Sequence, residues 1–445
     1  MSAFPRIVVS PPGPKARELL KKDERYVSPS YSRYYPLVVE SGKDCIVKDV
    51  DGNEYIDLNA GIACLNVGHN HPKIVGAIKN QCDRFLHYSN TDFYYEQVIN
   101  LAEKLAKITP GEAEKKTYFG NSGTEAVEAA VKLAKWHTRK QLFIGFINGF
   151  HGRTMGSLSF TASKPTQRRR FFPTMPGVVH VPYGYCYRCP FKLTYPECDY
   201  WCVGFIEECV LQKYVPPEDV AAFLFEPIQG EGGYIVPPPE YFQKLKNLAD
   251  KYGILTIADE VQSGIGRTGK WYAIQHWEVE PDIVCSAKAL ASGLPIGATT
   301  ASSRIMDWPA GSHASTFGGN PLSCAAALAV IDVIKEEKLL ENANKQGVYA
   351  IKRLSEFAQE NPLVGDVRGK GLMIGVEMVE DKDSKKPAAD KAHEVIMRAW
   401  KRGVALVTCG VSTLRLSPPL TIQREMLDAA LDIVEDVVNE VVVEV

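Results

Sequence analysis

Five segments place reactive side chains directly behind apolar runs. Lys288 follows DIVCSA, Asp259-Glu260-Val261-Gln262 follows ILTIA, and Glu226 follows AAFLF. Asn148 to Arg153 (NGFHGR) follows LFIGFI, and GNSGTEA, beginning at Gly120, follows KTYF. Each segment has a chemical reading and a plainer one. A lysine ending an apolar strand is partly desolvated, which favours the free amine that forms Schiff bases, although most lone lysines so placed only snorkel to the surface. A carboxylate there is costly to bury unless paired, but it can equally cap a helix. In GNSGTEA, Gly120 and Gly123 permit a tight turn, and Ser122 and Thr124 offer hydroxyls. The free N–H groups of a helix start suit a phosphate, and the same residues also make an ordinary cap. Phe150, His151 and Arg153 add an aromatic ring, an imidazole and a guanidinium.

These residues need elements that bring them to one place. From about residue 70, short apolar runs alternate with longer stretches of helical period, as in KTYF, TEAVEAAVKLAKWHTRK, LFIGFI, and later ILTIADE and DIVCSAK. That alternation predicts an α/β fold with a mainly parallel sheet covered by helices on both faces. Ligands of such sheets bind beyond the carboxyl ends of the strands, where all five segments fall. A phosphate cradle, an aromatic face, a carboxylate and a lysine at one sheet edge match the needs of pyridoxal phosphate. Its phosphate needs a helix start, its ring flat apolar faces, its pyridine nitrogen a carboxylate, and its aldehyde a lysine. A non-catalytic phosphate- or nucleotide-binding protein would account for GNSGTEA, but not for Asp259 with Lys288.

Before residue 66 the chain is Pro-rich at its start and contains LVVESGKDCIVKDVDGNEYIDL, with Asp51-Gly52 at a hairpin turn. After about residue 325 it becomes strongly helical and ends in a smaller mixture of strands and helices. Three parts are expected: an N-terminal segment, 1–65, packing with the small domain; a large cofactor-binding domain, 66–325; and a small α+β domain, 326–445.

On these motifs the sequence resembles the class III aminotransferases of fold type I over nearly its whole length. ILTIADEVQSGIGRTGKWYAIQHWEVEPDIVCSAKALASGLPIGA is similar to the family's cofactor-lysine signature. GNSGTEA, FHGRT, EPIQGEGG, STFGGNP and LRLSPP are similar to its other motifs, in the same order. The resemblance implies that Lys288 carries the cofactor as a Schiff base and then shuttles protons. It implies that Asp259 pairs with the pyridine nitrogen, that Ser122, Gly123 and Thr124 hold the phosphate, and that Phe150 and Val261 cover the ring faces. His151 joins the cofactor site, Gln262 reaches the phenolic oxygen, and Thr316 holds the phosphate of the neighbouring subunit. A homodimer or dimer of dimers follows, working in a ping-pong scheme on an amino donor and a 2-oxo acid.

The stretch AGIACLNVGHNHPKIVGAIKNQ resembles 4-aminobutyrate aminotransferases and places Ile62 at a substrate pocket. Arg153 matches an arginine for the distal carboxylate of an ω-amino acid, and Arg415 matches one for the α-carboxylate of glutamate. Glu226 is similar to a switch residue that neutralises Arg415 when an ω-amino acid is bound. FHGRT also occurs in acetylornithine and ornithine aminotransferases, and PRIVVSPPGPKA resembles archaeal members that include amino-acid racemases.

The formal net charge is -2, with 23% charged residues, so no basic stripe points to nucleic acid or an anionic membrane. No apolar run is long enough to span a bilayer, and no secretory h-region opens the chain, so a cytoplasmic enzyme is expected. Four of the 11 cysteines cluster as C-x2-C-x8-C-x3-C: Cys186, Cys189, Cys198 and Cys202, in an apparent insertion over 183–205. A zinc ion, an iron–sulfur cluster, two disulfides or free thiols all fit that spacing.

Overall fold

The structure is a computed structural model, and it describes residues 4–443. Its strands are β1 (Val39–Lys43), β2 (Ile46–Asp49), β3 (Glu54–Asp57), β4 (Lys115–Gly120), β5 (Leu142–Phe146), β6 (Val178–Val181), β7 (Val220–Phe225) and β8 (Leu255–Asp259). The remainder are β9 (Ile283–Ser286), β10 (Gly297–Ser302), β11 (Val364–Lys370), β12 (Met373–Met378), β13 (Val404–Ala405), β14 (Val407–Cys409) and β15 (Thr413–Leu416).

The central sheet has seven strands in the order β4-β10-β9-β8-β7-β5-β6. The pairs β5·β6, β5·β7, β7·β8 and β8·β9 are parallel. β10 runs antiparallel to both of its neighbours, β4 and β9, so β4 points the same way as β9. All six residues of β7 (VAAFLF) are buried, as a strand covered on both faces requires. Such a strand has no polar alternation to pay for in solvation, and each large apolar side chain it buries contributes about 1.5–3 kcal/mol.

The helix Gly123–Thr138 covers the sheet with a stripe of Ala126, Val127, Ala130, Val131, Leu133 and Ala134, all fully buried or nearly so. Alanines at the contact let the helix axis lie close to the strands, which brings its N-terminus to the sheet edge. Register does the rest. Phe225 lies opposite Ala258, and Asp259 opposite Cys285, so Glu226, Asp259 and the chain leading to Lys288 leave adjacent strands side by side.

Two smaller sheets flank this core, β1-β2-β3-β13 and the antiparallel β11-β12-β15-β14. The first joins the ends of the chain, because Val404 pairs with Ile56 in a parallel register. Arg267, fully buried, donates to the carbonyls of Leu372 (3.0 Å) and Pro418 (2.6 Å) and to the Asn66 side chain. It therefore ties the loop after β8 to both flanking regions. Among the described residues no helix is long and apolar enough to cross a membrane.

Candidate active site

Beyond the carboxyl ends of β4, β5, β7, β8 and β9 lies a cleft of about 260 Å³. Eleven of the residues singled out in the sequence line it: Ser122, Gly123, Thr124, Phe150, His151, Arg153, Glu226, Asp259, Val261, Gln262 and Lys288, joined by Gly152. They arrive from five loops, so their convergence is a product of sheet register rather than of local sequence.

At the first loop, Ser122 caps the helix Gly123–Thr138, accepting from the Glu125 N–H at 3.3 Å. The turn is tight on both sides. A Cβ on Gly123 would stand 2.7 Å from Val261, and a Cβ on Gly152, whose φ is +132°, would stand 2.2 Å from the Thr124 hydroxyl. Removing those methyls leaves backbone N–H groups bare at the helix start, which is the arrangement that binds a phosphate.

Asp259 and His151 form the buried centre. His151 Nδ1 is 2.7 Å from Asp259 Oδ2, with the two side chains 0% and 4% exposed. Asp259 Oδ1 accepts from the Val261 N–H at 3.0 Å. Both carboxylate oxygens are thus oriented before any ligand arrives. His151 Nε2 and Gln262 Oε1 are buried without a hydrogen-bond partner, as groups awaiting a polar ligand would be.

Lys288 is half-buried at the start of a 3-10 turn, Lys288–Ala291, with φ +40°. A non-glycine residue held in the left-handed region costs on the order of 1 kcal/mol, and such strain concentrates at functional sites. Phe150 and Val261, both half-buried, are the apolar faces of the cleft. A phosphate cradle, an oriented carboxylate, unsatisfied polar atoms and a lysine fit pyridoxal phosphate group by group.

Glu226 corrects one expectation. It does not touch Arg415. Its two oxygens accept the N–H groups of Phe150 and Gly230, each at 2.8 Å, and burial pushes its carboxyl well above the ordinary range. The carboxylate on Arg415 is Glu231, at 3.4 Å. Both glutamates stand in EPIQGEGG, and spacing alone did not tell which one faces the arginine. Glu226 holds the backbone at two loops, whereas Glu231, further along the same loop, reaches the guanidinium. Arg415 is 1% exposed and its Nε has no partner.

Three predicted residues lie outside the cleft lining: Arg415, Ile62 and Thr316. Ile62 is 37% exposed, in a turn where Ala60, Gly61, Ile62 and Ala63 all have positive φ. The end of that turn is close to the lysine: burial pushes the Cys64 thiol up, and Lys288 and Arg267 pull it back. Thr316 is exposed in its own chain. Arg153 is exposed at the mouth, its guanidinium carbon 5.5 Å from the centre of the Phe150 ring.

The four clustered cysteines are free thiols around a small aromatic-lined cavity with Tyr183, Tyr185 and Trp201. Burial pushes Cys186 up to about 11 and Cys202 up to about 12, so these thiols hold their protons. Among the described residues no group of three or more His, Cys, Asp or Glu is arranged to hold a metal.

Residues 26–438 match the family model described as aminotransferase class-III. A leucine/methionine racemase of Thermococcus litoralis is 43% identical over 423 residues, covering 94% of this chain and 95% of that one. An acetylornithine aminotransferase of Methanosarcina mazei is 43% identical over 418 residues, covering 94% and 95%. The crystal structure of a Bacillus anthracis aminotransferase superposes with a TM-score of 0.88 at 33% identity, covering 96% of this chain and 99% of that one. The chain belongs to the class III aminotransferases, a pyridoxal-phosphate-dependent family with the α/β architecture of fold type I.

Proposed function

We propose that the enzyme transfers the terminal amino group of an ω-amino acid, 4-aminobutyrate first among them, to 2-oxoglutarate, giving a semialdehyde and glutamate. The observation that carries this reading is Glu231 lying over Arg415. The two half-reactions make opposite demands. Glutamate brings an α-carboxylate that needs a free guanidinium, whereas an ω-amino acid brings only hydrogens there. A removable carboxylate serves both, because it neutralises a buried cation when no substrate carboxylate is present.

When bound, pyridoxal phosphate supplies a carbonyl that condenses with amines and a ring that accepts the electrons released at the substrate carbon. Lys288 would hold that carbonyl, and its Nζ, when free as the neutral amine, would serve as the base that takes a proton from the substrate carbon. Asp259, fixed by His151 and the Val261 N–H, would keep the ring nitrogen protonated. The helix start at Ser122, Gly123 and Thr124 would hold the phosphate. Phe150 and Val261 would exclude water from the ring faces, and the Gln262 side-chain amide would donate to the phenolic oxygen of the ring. Arg153, exposed at the mouth, would take the distal carboxylate that both substrates share.

A half-reaction screen tests this. The lysine-bound colour should bleach with 4-aminobutyrate and with L-glutamate, and return with 2-oxoglutarate. Racemisation is the second reading, favoured by the 43% identity to the Thermococcus litoralis racemase. Interconversion of L- and D-amino acids with no keto acid present, and no bleaching by 4-aminobutyrate, would replace the first reading with the second.

A further inference from the structure

Glu231 has a second cation. Lys164 Nζ sits 2.8 Å from Glu231 Oε1, while Arg415 Nη1 is 3.4 Å from Oε2. One carboxylate therefore bridges two positive groups, and its shorter contact is to the lysine. The Lys164 side chain is 35% exposed and that of Arg415 is 1% exposed, so water can attend one end of the bridge and not the other.

The backbone beneath Glu231 has little freedom. Its carbonyl accepts the Gly410 N–H at 2.8 Å, Arg368 grips the carbonyls of Gly233 and Tyr234, and a Cβ on Gly232 would stand 2.3 Å from the Asn148 carbonyl. The Lys164 side is fixed as well: Ala162 donates to the Gly149 carbonyl at 2.7 Å, and the Lys164 N–H donates to Gln167 at 3.2 Å. What can move is the Glu231 side chain itself.

We infer that Lys164 is the release seat of Glu231: when a substrate α-carboxylate takes Arg415, the glutamate carboxylate stays paired by shifting fully onto Lys164. This rests on the reading of Glu231 as a removable cover. Without Lys164, displacing Glu231 would leave a half-buried carboxylate with no cation, and α-carboxylate ligands would bind more weakly. Substrates that leave Arg415 covered would not meet that cost. Lys164 is thus a positioning residue that sets the balance between two substrate classes.

The test compares the holoenzyme with its Lys164→Met and Lys164→Arg variants. Bleaching is followed against L-glutamate and against 4-aminobutyrate, and the affinity for glutarate, a dicarboxylate with no amine, is measured by calorimetry. In Lys164→Met the ratio of half-saturating concentrations, glutamate over 4-aminobutyrate, should rise by roughly two- to fivefold, the scale of a partly exposed ion pair. Lys164→Arg should restore the ratio. Glutarate affinity should fall in Lys164→Met by a similar factor. An unchanged ratio, or an equal change for both substrates, overturns the inference. A wild-type enzyme that bleaches with neither substrate overturns the proposed function instead, and glutarate affinity still reads whether Lys164 matters to carboxylate binding at Arg415.

Discussion

His151 Nδ1 is 2.7 Å from Asp259 Oδ2, and the pair is buried where the strands β5 and β8 end. With the Val261 N–H on the other oxygen, the carboxylate has one orientation available to it. An anion fixed in a dry site interacts far more strongly with a charge facing it than the same anion in water would.

Asp259→Asn should therefore spare the cofactor and harm the chemistry. The amide can still accept from the Val261 N–H, but it cannot balance a protonated ring nitrogen. Single-turnover bleaching should slow by on the order of 10²–10³-fold, while the coloured complex still forms. Bleaching within about tenfold of wild type would show that the charge on Asp259 is not what the reaction uses.

Gly123→Ala tests the cradle. The added methyl would stand 2.7 Å from Val261 and must push that side chain, which lines the same cleft. Overpacking of this size costs about 1–3 kcal/mol, so cofactor affinity should drop by roughly tenfold in a titration of the cofactor-free protein. Unchanged affinity would mean that Val261 has room to retreat.

His276 gives a pH dependence with a definite sign. Burial lowers it from 6.5 to about 4, while its Nε2 lies 3.0 Å from the Thr268 carbonyl. A folded-state value below the unfolded one means that folding favours the neutral ring. Its contribution is complete above about pH 6.5 and is lost as pH falls towards about 4. His276→Gln keeps a donor for Thr268 and removes the titration. Urea midpoints measured across that interval should fall less steeply in the variant, and parallel curves would refute the assignment.

How far the sequence could be read depended on the kind of signal. β7, β8 and β9 are continuous apolar runs, and both their existence and their direction follow from burial on two faces. β10, GATTAS, carries no such run. It works as an antiparallel strand because small residues fit where a Cβ on Gly297 would stand 2.1 Å from the Ser122 carbonyl. β6 is only four residues long. Asp259 and Lys288 were legible because each ends such a run. The bond from His151 to Asp259 was not, since 108 residues separate them. Glu231 was hidden beside Glu226 in one motif, and only the path of the loop after β7 shows which of them meets Arg415. The left-handed turn at Ala60–Ala63 had no local signal beyond Gly61, because tertiary packing holds three non-glycine residues where they would not sit alone.

Lys288 is the residue expected to carry the cofactor. The most direct measurement is borohydride reduction of the yellow holoenzyme, followed by digestion and mass spectrometry of the modified peptide. One modified peptide, containing Lys288, is expected, with no modification in Lys288→Ala. Label on a different lysine, or a Lys288→Ala protein still reduced on that same peptide, would contradict it.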